Sequence, residues 1–181
     1  MSNRLIDGLL RAHRLLDEVG VSHALIGGLA ANLYRARARA TRDVDFAVAA
    51  SASEVARIAQ AFRDAGWQTG KTRVEIDSFR FSHDDFPHVD LLIAGTDFER
   101  SAILRAERLT IDRIELSIVT PEDLAVYKLL AGRAHDYEAV AAVVDAVGPL
   151  DEGYVVGWLD QFGFAERWAK ALEEVRRIDP D

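Results

Sequence analysis

The sequence predicts an α/β fold in which strands and helices alternate over residues 1–119, followed by a helical part over residues 120–181. Short runs rich in β-branched and apolar residues, such as SHALIG and DVDFAVA, are typical of buried strands. After the segment TPED, apolar residues recur only at helical spacing. We therefore expect a sheet flanked by helices, with a helical part that forms a second domain or continues the first.

The first half of the chain contains alternating helix and strand patterns. Leucines at helical spacing predict a helix over residues 3–19, which ends before Gly20. The run SHALIG predicts a strand, LAANLYRA predicts a helix that begins at the glycine turn, and DVDFAVA predicts a buried strand. In SASEVARIAQAFRDAG, Ser51 and Glu54 form a capping-box pattern, which predicts a helix that ends at Gly66.

The second half begins with strand patterns and ends with helix patterns. SFRFSH and HVDLLIAG predict two strands, DFERSAIL predicts a short helix, and ERLTIDRIELSIV predicts either a hairpin or one bent strand. Thr120 is the expected N-cap of the next helix, because Pro121 suits the first helical position. Helices are expected from there onward in the segments PEDLAVYKLLAGR, DYEAVAAVVDAV, DEGYVVGWLDQFG and FAERWAKALEEVRRI.

The composition excludes several classes of site and partner. No cysteine is present, which excludes a disulfide, a thiolate zinc site and a cysteine nucleophile. The N-terminus lacks the apolar run of a signal peptide and no apolar segment is long enough to span a membrane, so we expect a cytoplasmic protein without membrane contact. The net charge of −8 disfavours broad nucleic-acid binding, but the arginines within residues 35–42 form a local positive cluster suited to a small anionic ligand.

Three aspartates are the candidate catalytic and metal-binding residues. Asp43 and Asp45 project from the same face of the predicted strand DVDF, because side chains alternate along a strand. Asp90 lies in an apolar strand pattern, where an unpaired carboxylate is costly. If the two strands are neighbours, three carboxylates converge, which is the composition of a two-metal phosphoryl-transfer site. Alternatively, one aspartate of the first pair forms an ion pair with an arginine and the other is solvated.

Gly27 and Gly28 lie between a predicted strand and a predicted helix. Unpaired backbone N–H groups and the positive end of the helix dipole at such a position bind phosphate, and glycine leaves room for it. A plain tight turn explains the same two glycines. Gly27 and Gly28 are therefore a candidate nucleotide-binding turn mainly because the candidate metal-binding aspartates accompany them.

Taken together, these segments resemble a known superfamily. The order GG, a helix, TRDVDF and then Asp90 is similar to the signature of polymerase-β-type nucleotidyltransferases. RATRDVDF and TPEDLAVYKLLAGRAHDYEAV further resemble segments of the bacterial minimal nucleotidyltransferases of the AbiEii toxin-like group. The resemblance implies a nucleotidyltransferase fold, with a mixed sheet flanked by helices. One departure is Gly28, which stands where many members have a serine, so that a hydroxyl contact to phosphate is missing.

The resemblance also implies a role for each residue of the site. Asp43, Asp45 and Asp90 would hold Mg²⁺, with two ions expected and Mn²⁺ as the alternative, and Asp90 would help to deprotonate the acceptor hydroxyl. The phosphates of a nucleoside triphosphate would lie against Gly27 and Gly28. A nucleoside monophosphate would then be transferred and pyrophosphate released.

Three cationic side chains are further candidates for nucleotide binding. Arg39 and Arg42 are candidate phosphate contacts, although a run of charge also suits a solvated face. The resemblance makes Lys128 a candidate triphosphate ligand, with an ordinary surface lysine as the alternative. Arg133 and Asp136 are expected to form a structural ion pair that closes a helix turn.

Two functions are compatible with these features. The first is a Mg²⁺-dependent nucleotidyltransferase whose acceptor is an RNA end, a protein or a small molecule. The resemblance extends this function to a toxin or phage-defence component with an antitoxin partner. The second is a non-catalytic module that binds a nucleotide or a partner protein. The clustered carboxylates favour the enzyme, because a scaffold has no need of their mutual repulsion.

Overall fold

The structure, a computed structural model, describes residues 4–70, 78–111 and 113–178. It divides into two compact units, the first comprising residues 1–29 and 40–118 and the second comprising residues 30–39 and 119–181. The predicted α/β class and mixed sheet are confirmed. Within the described ranges, no helix is both long and apolar enough to cross a membrane.

The first unit is built on one mixed sheet. Its strands in the described residues are β1 (Ser22–Ile26), β2 (Asp43–Ala49), β3 (Gln68–Thr69), β4 (Ser78–Ser82), β5 (His88–Ile93), β6 (Glu107–Ile111) and β7 (Ile114–Ile118). Their order across the sheet is β3-β4-β5-β2-β1-β7-β6. β2 pairs with β5 and β1 pairs with β7 in parallel, whereas the other neighbours are antiparallel.

The helices of the first half begin and end close to the predicted positions. They are α1 (Arg4–Val19), α2 (Gly27–Tyr34), α3 (Ala52–Asp64) and α4 (Asp97–Arg105). Residue 3, the predicted start of the first helix, lies outside the described residues. Ser51 caps α3 in a complete capping box with Glu54, as its sequence pattern indicates.

The middle of the sheet is held by apolar side chains that alternate with the aspartates. Val44, Phe46 and Val48 of β2 are fully buried, as is Val89 of β5. The segment ERLTIDRIELSIV forms a hairpin, β6–β7, rather than one bent strand. β3 is a two-residue strand that the sequence pattern did not indicate.

The second unit contains the four helices expected after TPED. They are α5 (Pro121–Ala131), α6 (Ala134–Val147), α7 (Glu152–Gln161) and α8 (Glu166–Ile178). Thr120 is the N-cap of α5, and its hydroxyl oxygen accepts a hydrogen bond from the backbone N–H of Asp123 at 3.2 Å. Gly132 ends α5 in the left-handed region, with φ of 65°.

A buried carboxylate joins α5 to the start of α6 within this unit. Asp136 has no solvent exposure, and its oxygens accept hydrogen bonds from Arg133 Nε at 2.7 Å and from Lys128 Nζ at 3.1 Å. Burial opposes ionisation of Asp136, but the hydrogen bonds and charges of Arg133 and Lys128 outweigh it and lower the pKa of the carboxyl group. The predicted Arg133–Asp136 ion pair is therefore confirmed, with Lys128 as a third member.

We expect Asp136→Asn to lower the free energy of unfolding by about 3 kcal/mol, because removing one partner of a buried ion pair leaves its cations uncompensated. Urea unfolding followed by circular dichroism measures the change. Asp145→Asn is the matched control on the exposed part of the same helix, and it should alter stability by less than about 0.5 kcal/mol. Equal losses for the two variants would show that the buried network does not stabilise this unit.

Candidate active site

The parallel pairing of β2 with β5 brings the three predicted aspartates together. Asp45 is the direct register partner of Asp90, and Asp43 is paired with His88. Register partners lie on the same face of a sheet, and so do residues two apart along a strand. All three carboxylates therefore project from one face, opposite the buried Val44 and Phe46.

The guanidinium group of Arg80 binds this acidic face. Arg80 is the register partner of Asp90 on the other side of β5. Its Nε and Nη2 atoms donate to the two carboxylate oxygens of Asp90 at 2.7 and 2.5 Å, and Nη2 lies 3.6 Å from Oδ2 of Asp43. The hydrogen bonds to Asp90, the largest cause, raise the pKa of Arg80, and the charges of Asp43 and Asp45 act in the same direction. Arg80 thus offsets the repulsion between the acids.

Arg80 is the residue of this site that was not predicted from the sequence. In β4, Phe79 and Phe81 alternate with Ser78, Arg80 and Ser82. That alternation places Arg80 on the polar face of its strand, which is the signal that could have identified it. The strand that it faces could not be identified from this pattern alone, because the pairing of β4 with β5 is a property of the folded sheet.

Gly27 fixes the position of Asp45. The residue has φ of 71°, a backbone conformation that side chains other than glycine rarely adopt. A Cβ atom at this position would collide with the carboxylate of Asp45. Only glycine therefore allows the start of α2 to approach the carboxylate this closely.

Gly28 faces a hydroxyl group. A Cβ atom on Gly28 would lie 2.8 Å from Oγ1 of Thr41. The serine expected here by resemblance to the superfamily would therefore crowd Thr41. The hydroxyl of Thr41 therefore lies beside Gly28, the position at which many superfamily members have a serine hydroxyl.

The cationic candidates have different surroundings. Arg42 is exposed and forms no ion pair with any described residue. Arg39 belongs to the second unit, where Nη1 lies 3.0 Å from Oε2 of Glu138. Lys128, also in the second unit, is bound to the buried Asp136. The predicted contacts of Arg39, Arg42 and Lys128 with a nucleotide stay predictions.

The donor atoms of the acidic face suit Mg²⁺ or Mn²⁺, because hard divalent cations prefer carboxylate oxygens. The side chains of Asp43 and Asp90 are 37% and 27% exposed, so solvent and ions can reach them. With Arg80 bound, the oxygens of the three carboxylates do not all lie within 4.8 Å of one another. Arg80 therefore competes with a cation for the oxygens of Asp90.

Solved structures with a similar fold include an adenylyltransferase and a nucleotidyltransferase-like protein. The antibiotic-resistance factor ANT(2'')-Ia has a TM-score of 0.62 at 16% identity, with 96% of this chain and 97% of that chain covered. The lincosamide antibiotic adenylyltransferase LnuA, bound to lincomycin, has a TM-score of 0.57 at 14% identity, with coverage of 76% and 94%. An antigenic nucleotidyltransferase-like protein from Paracoccidioides brasiliensis has a TM-score of 0.54 at 15% identity, with coverage of 97% and 88%.

Sequence comparison gives a family rather than a characterised relative. No curated protein is a significant match to the chain. A family model described as "Nucleotidyl transferase of unknown function (DUF2204)" matches residues 5–155, which is most of the chain. Together with the fold, this match shows that the protein is an enzyme of the nucleotidyltransferase class. The chain belongs to the DUF2204 family of nucleotidyl transferases.

Proposed function

We propose that this protein transfers a nucleoside monophosphate from an NTP to an acceptor hydroxyl in a Mg²⁺-dependent reaction, with Asp43, Asp45 and Asp90 as the metal-binding residues. The register that pairs Asp45 with Asp90 carries the proposal, because it places three carboxylates on one face of the sheet. A divalent cation there supplies charge stabilisation at the reacting phosphate. Because the donor NTP is a cytoplasmic metabolite, we propose that the protein acts in the cytoplasm.

The glycine turn is the proposed phosphate-binding element. Gly27 begins α2 directly beside Asp45, so that the N–H groups of the first helical turn and the carboxylate are adjacent. Backbone N–H groups at a helix N-terminus favour a bound anion. The hydroxyl of Thr41 beside Gly28 donates to the backbone oxygen of Asp43 at 3.4 Å, and it would have to turn to donate to a phosphate oxygen.

Within this site, Asp90 is the proposed acceptor of the hydroxyl proton. The bidentate contact with Arg80 holds its two oxygens in position. An ionised carboxylate can accept a proton once Arg80 has moved away. Arg80 is then free to bind a phosphate oxygen, for which the planar guanidinium group is well suited.

Replacement of the aspartates tests the proposal directly. We expect Asp43→Asn, Asp45→Asn and Asp90→Asn each to reduce nucleotidyl transfer by about 100-fold or more, because the metal supplies several kcal/mol and about 1.4 kcal/mol is tenfold in rate. Transfer of label from α-³²P-labelled NTPs is measured with and without Mg²⁺. Asp145→Asn is the exposed control. Transfer that persists in the double variant Asp43→Asn plus Asp45→Asn, or in EDTA, would contradict the proposal. Nucleotide binding without any transfer by the wild type would favour a non-catalytic nucleotide-binding module.

The acceptor can be identified with the same assay. The panel contains cellular RNA, a protein extract, lincomycin and tobramycin, since these two antibiotics appear in the solved structures of similar fold. Labelled RNA or protein would support the toxin or phage-defence role, with an antitoxin partner, that the AbiEii-like resemblance implies. A labelled antibiotic would support a resistance enzyme instead.

We expect Gly27→Ala to reduce activity at least tenfold, because the new methyl group displaces the carboxylate of Asp45. The matched control is Gly163→Ala, since Gly163 has a similar φ of 77° but no atom within 4 Å of the added Cβ. Both variants should lose about 1–2 kcal/mol of stability through backbone strain, which urea unfolding measures. Equal activities in the two variants would show that the Gly27–Asp45 contact has no role in catalysis.

Arg80→Gln should strengthen the binding of Mn²⁺ in the absence of nucleotide, because the guanidinium group competes with the cation for Asp90 and Asp43. The electron paramagnetic resonance signal of free Mn²⁺ measures binding, and we expect half-saturation at a severalfold lower concentration. Arg100→Gln is the control, since Arg100 pairs with the exposed Asp97 instead. Unchanged or weaker Mn²⁺ binding in Arg80→Gln would argue against competition.

A further inference from the structure

A second group of ligand side chains lies in the first unit, outside the acidic face. His13 and Asp17 are one turn apart on α1, and His23 lies on β1. Among the described residues, these three form a group whose ligand atoms lie within 4.8 Å of one another. The two histidine side chains are 8% and 5% exposed, whereas Asp17 is 60% exposed.

The hydrogen bonds of His23 determine which of its nitrogens can bind a ligand. Nδ1 of His23 lies 2.9 Å from the backbone oxygen of Val21. A carbonyl oxygen only accepts hydrogen bonds, so Nδ1 carries the proton. In the neutral ring, Nε2 of His23 therefore carries a lone pair instead of a proton. This nitrogen lies 2.8 Å from Nδ1 of His13.

His13 is surrounded by more acceptors than a neutral imidazole can satisfy. They are the lone pair of His23, the carboxylate of Asp17 at 3.2 Å from Nε2, and the backbone of Glu115. A neutral ring has one N–H group, so one of its nitrogens faces an acceptor with no proton between them. One acceptor beside the His13 ring is therefore left without a donor.

We propose that His13, Asp17 and His23 form a binding site for Zn²⁺, or for a similar transition-metal ion. Two imidazole nitrogens and one carboxylate oxygen are a ligand set that zinc accepts readily, whereas Mg²⁺ prefers oxygen ligands. The site is thus distinct in chemistry from the acidic face.

The geometry fits an ion with only small movements. In tetrahedral zinc with bonds of about 2.0–2.1 Å, ligand atoms lie about 3.3 Å apart. Nδ1 of His13 lies 2.8 Å from Nε2 of His23, and that nitrogen lies 3.9 Å from Oδ1 of Asp17. One separation must lengthen and the other must shorten, and the exposed Asp17 side chain is free to move.

The surroundings of the ligands match those of known metal sites. Zinc-binding histidines usually donate their other N–H to a carbonyl or carboxylate oxygen. With Nε2 of His23 on the ion, Nδ1 already donates to Val21. His13 has the backbone of Glu115 as a hydrogen-bond acceptor in addition to Asp17. The cluster also lines a cleft of about 570 Å³, which gives an ion and a coordinating water access from solvent.

The test uses untagged protein stripped with EDTA and returned to buffer with millimolar Mg²⁺, which occupies oxygen-ligand sites. Isothermal titration with Zn²⁺ should show one equivalent bound, and Co²⁺ should give the absorption bands of a four-coordinate ion. Asp17→Ala should weaken zinc binding at least tenfold, and His23→Gln should weaken it further. At a fixed zinc concentration, zinc should also raise the Tm of the wild type more than that of Asp17→Ala.

Three controls make the outcome decisive. His135→Ala and Asp145→Ala replace exposed residues of the same types and should leave zinc affinity unchanged. Asp43→Asn plus Asp45→Asn should also leave it unchanged, so the result does not depend on the proposed enzymatic activity. Because Asp17 is exposed, its variant should fold even if His23→Gln does not. Zinc binding that is absent, or equal in wild type and Asp17→Ala, would overturn the proposal.

Discussion

The parallel register between β2 and β5 is the constraint on which the candidate active site depends. Asp90 comes from a segment 45 positions after Asp45, and only the pairing of these two strands brings the residues together. A shift of one residue would turn Asp90 to the opposite face of the sheet. The register is fixed by the fully buried Val44, Phe46 and Val89, since the same shift would move them out of the core. The apolar residues of these strands thus position the polar ones.

The electrostatic repulsion between clustered carboxylates destabilises the folded chain unless a nearby positive charge offsets it. Arg80 does so through two hydrogen bonds to Asp90 and a nearby charge for Asp43. Because the Arg80 side chain is 47% exposed, this compensation is screened by solvent and is weaker than that of a buried pair. A weak and exposed compensating charge can be displaced by a divalent cation. The same contact therefore stabilises the metal-free protein and leaves the acids available.

Features set by neighbouring residues could be predicted from the sequence, and features set by distant strands could not. The capping box at Ser51 and the N-cap at Thr120 depend on three or four consecutive residues, and both are confirmed. The contact of Arg80 with Asp90 depends on which strands pair, and ten residues of sequence separate the two. Similarly, the histidine cluster requires α1 to pack beside β1, so its three members show no recognisable metal-binding spacing along the chain. The acids could be identified from the alternation and apolar flanks of their own strands, but their convergence depended on the pairing of those strands, which only the resemblance to a superfamily implied.

The alternation of β2 and its neighbour β1 also separates the two proposed ion sites. His23 is the register partner of Val48, whereas Asp45 is the partner of Ile26. Val48 faces the same side as Val44 and Phe46, so His23 lies on the face opposite the acids. The edge of the His23 ring contacts Phe46, which agrees with this assignment. An ion on either face is therefore shielded from the other by the buried strand residues, and the different ligand atoms favour different metals.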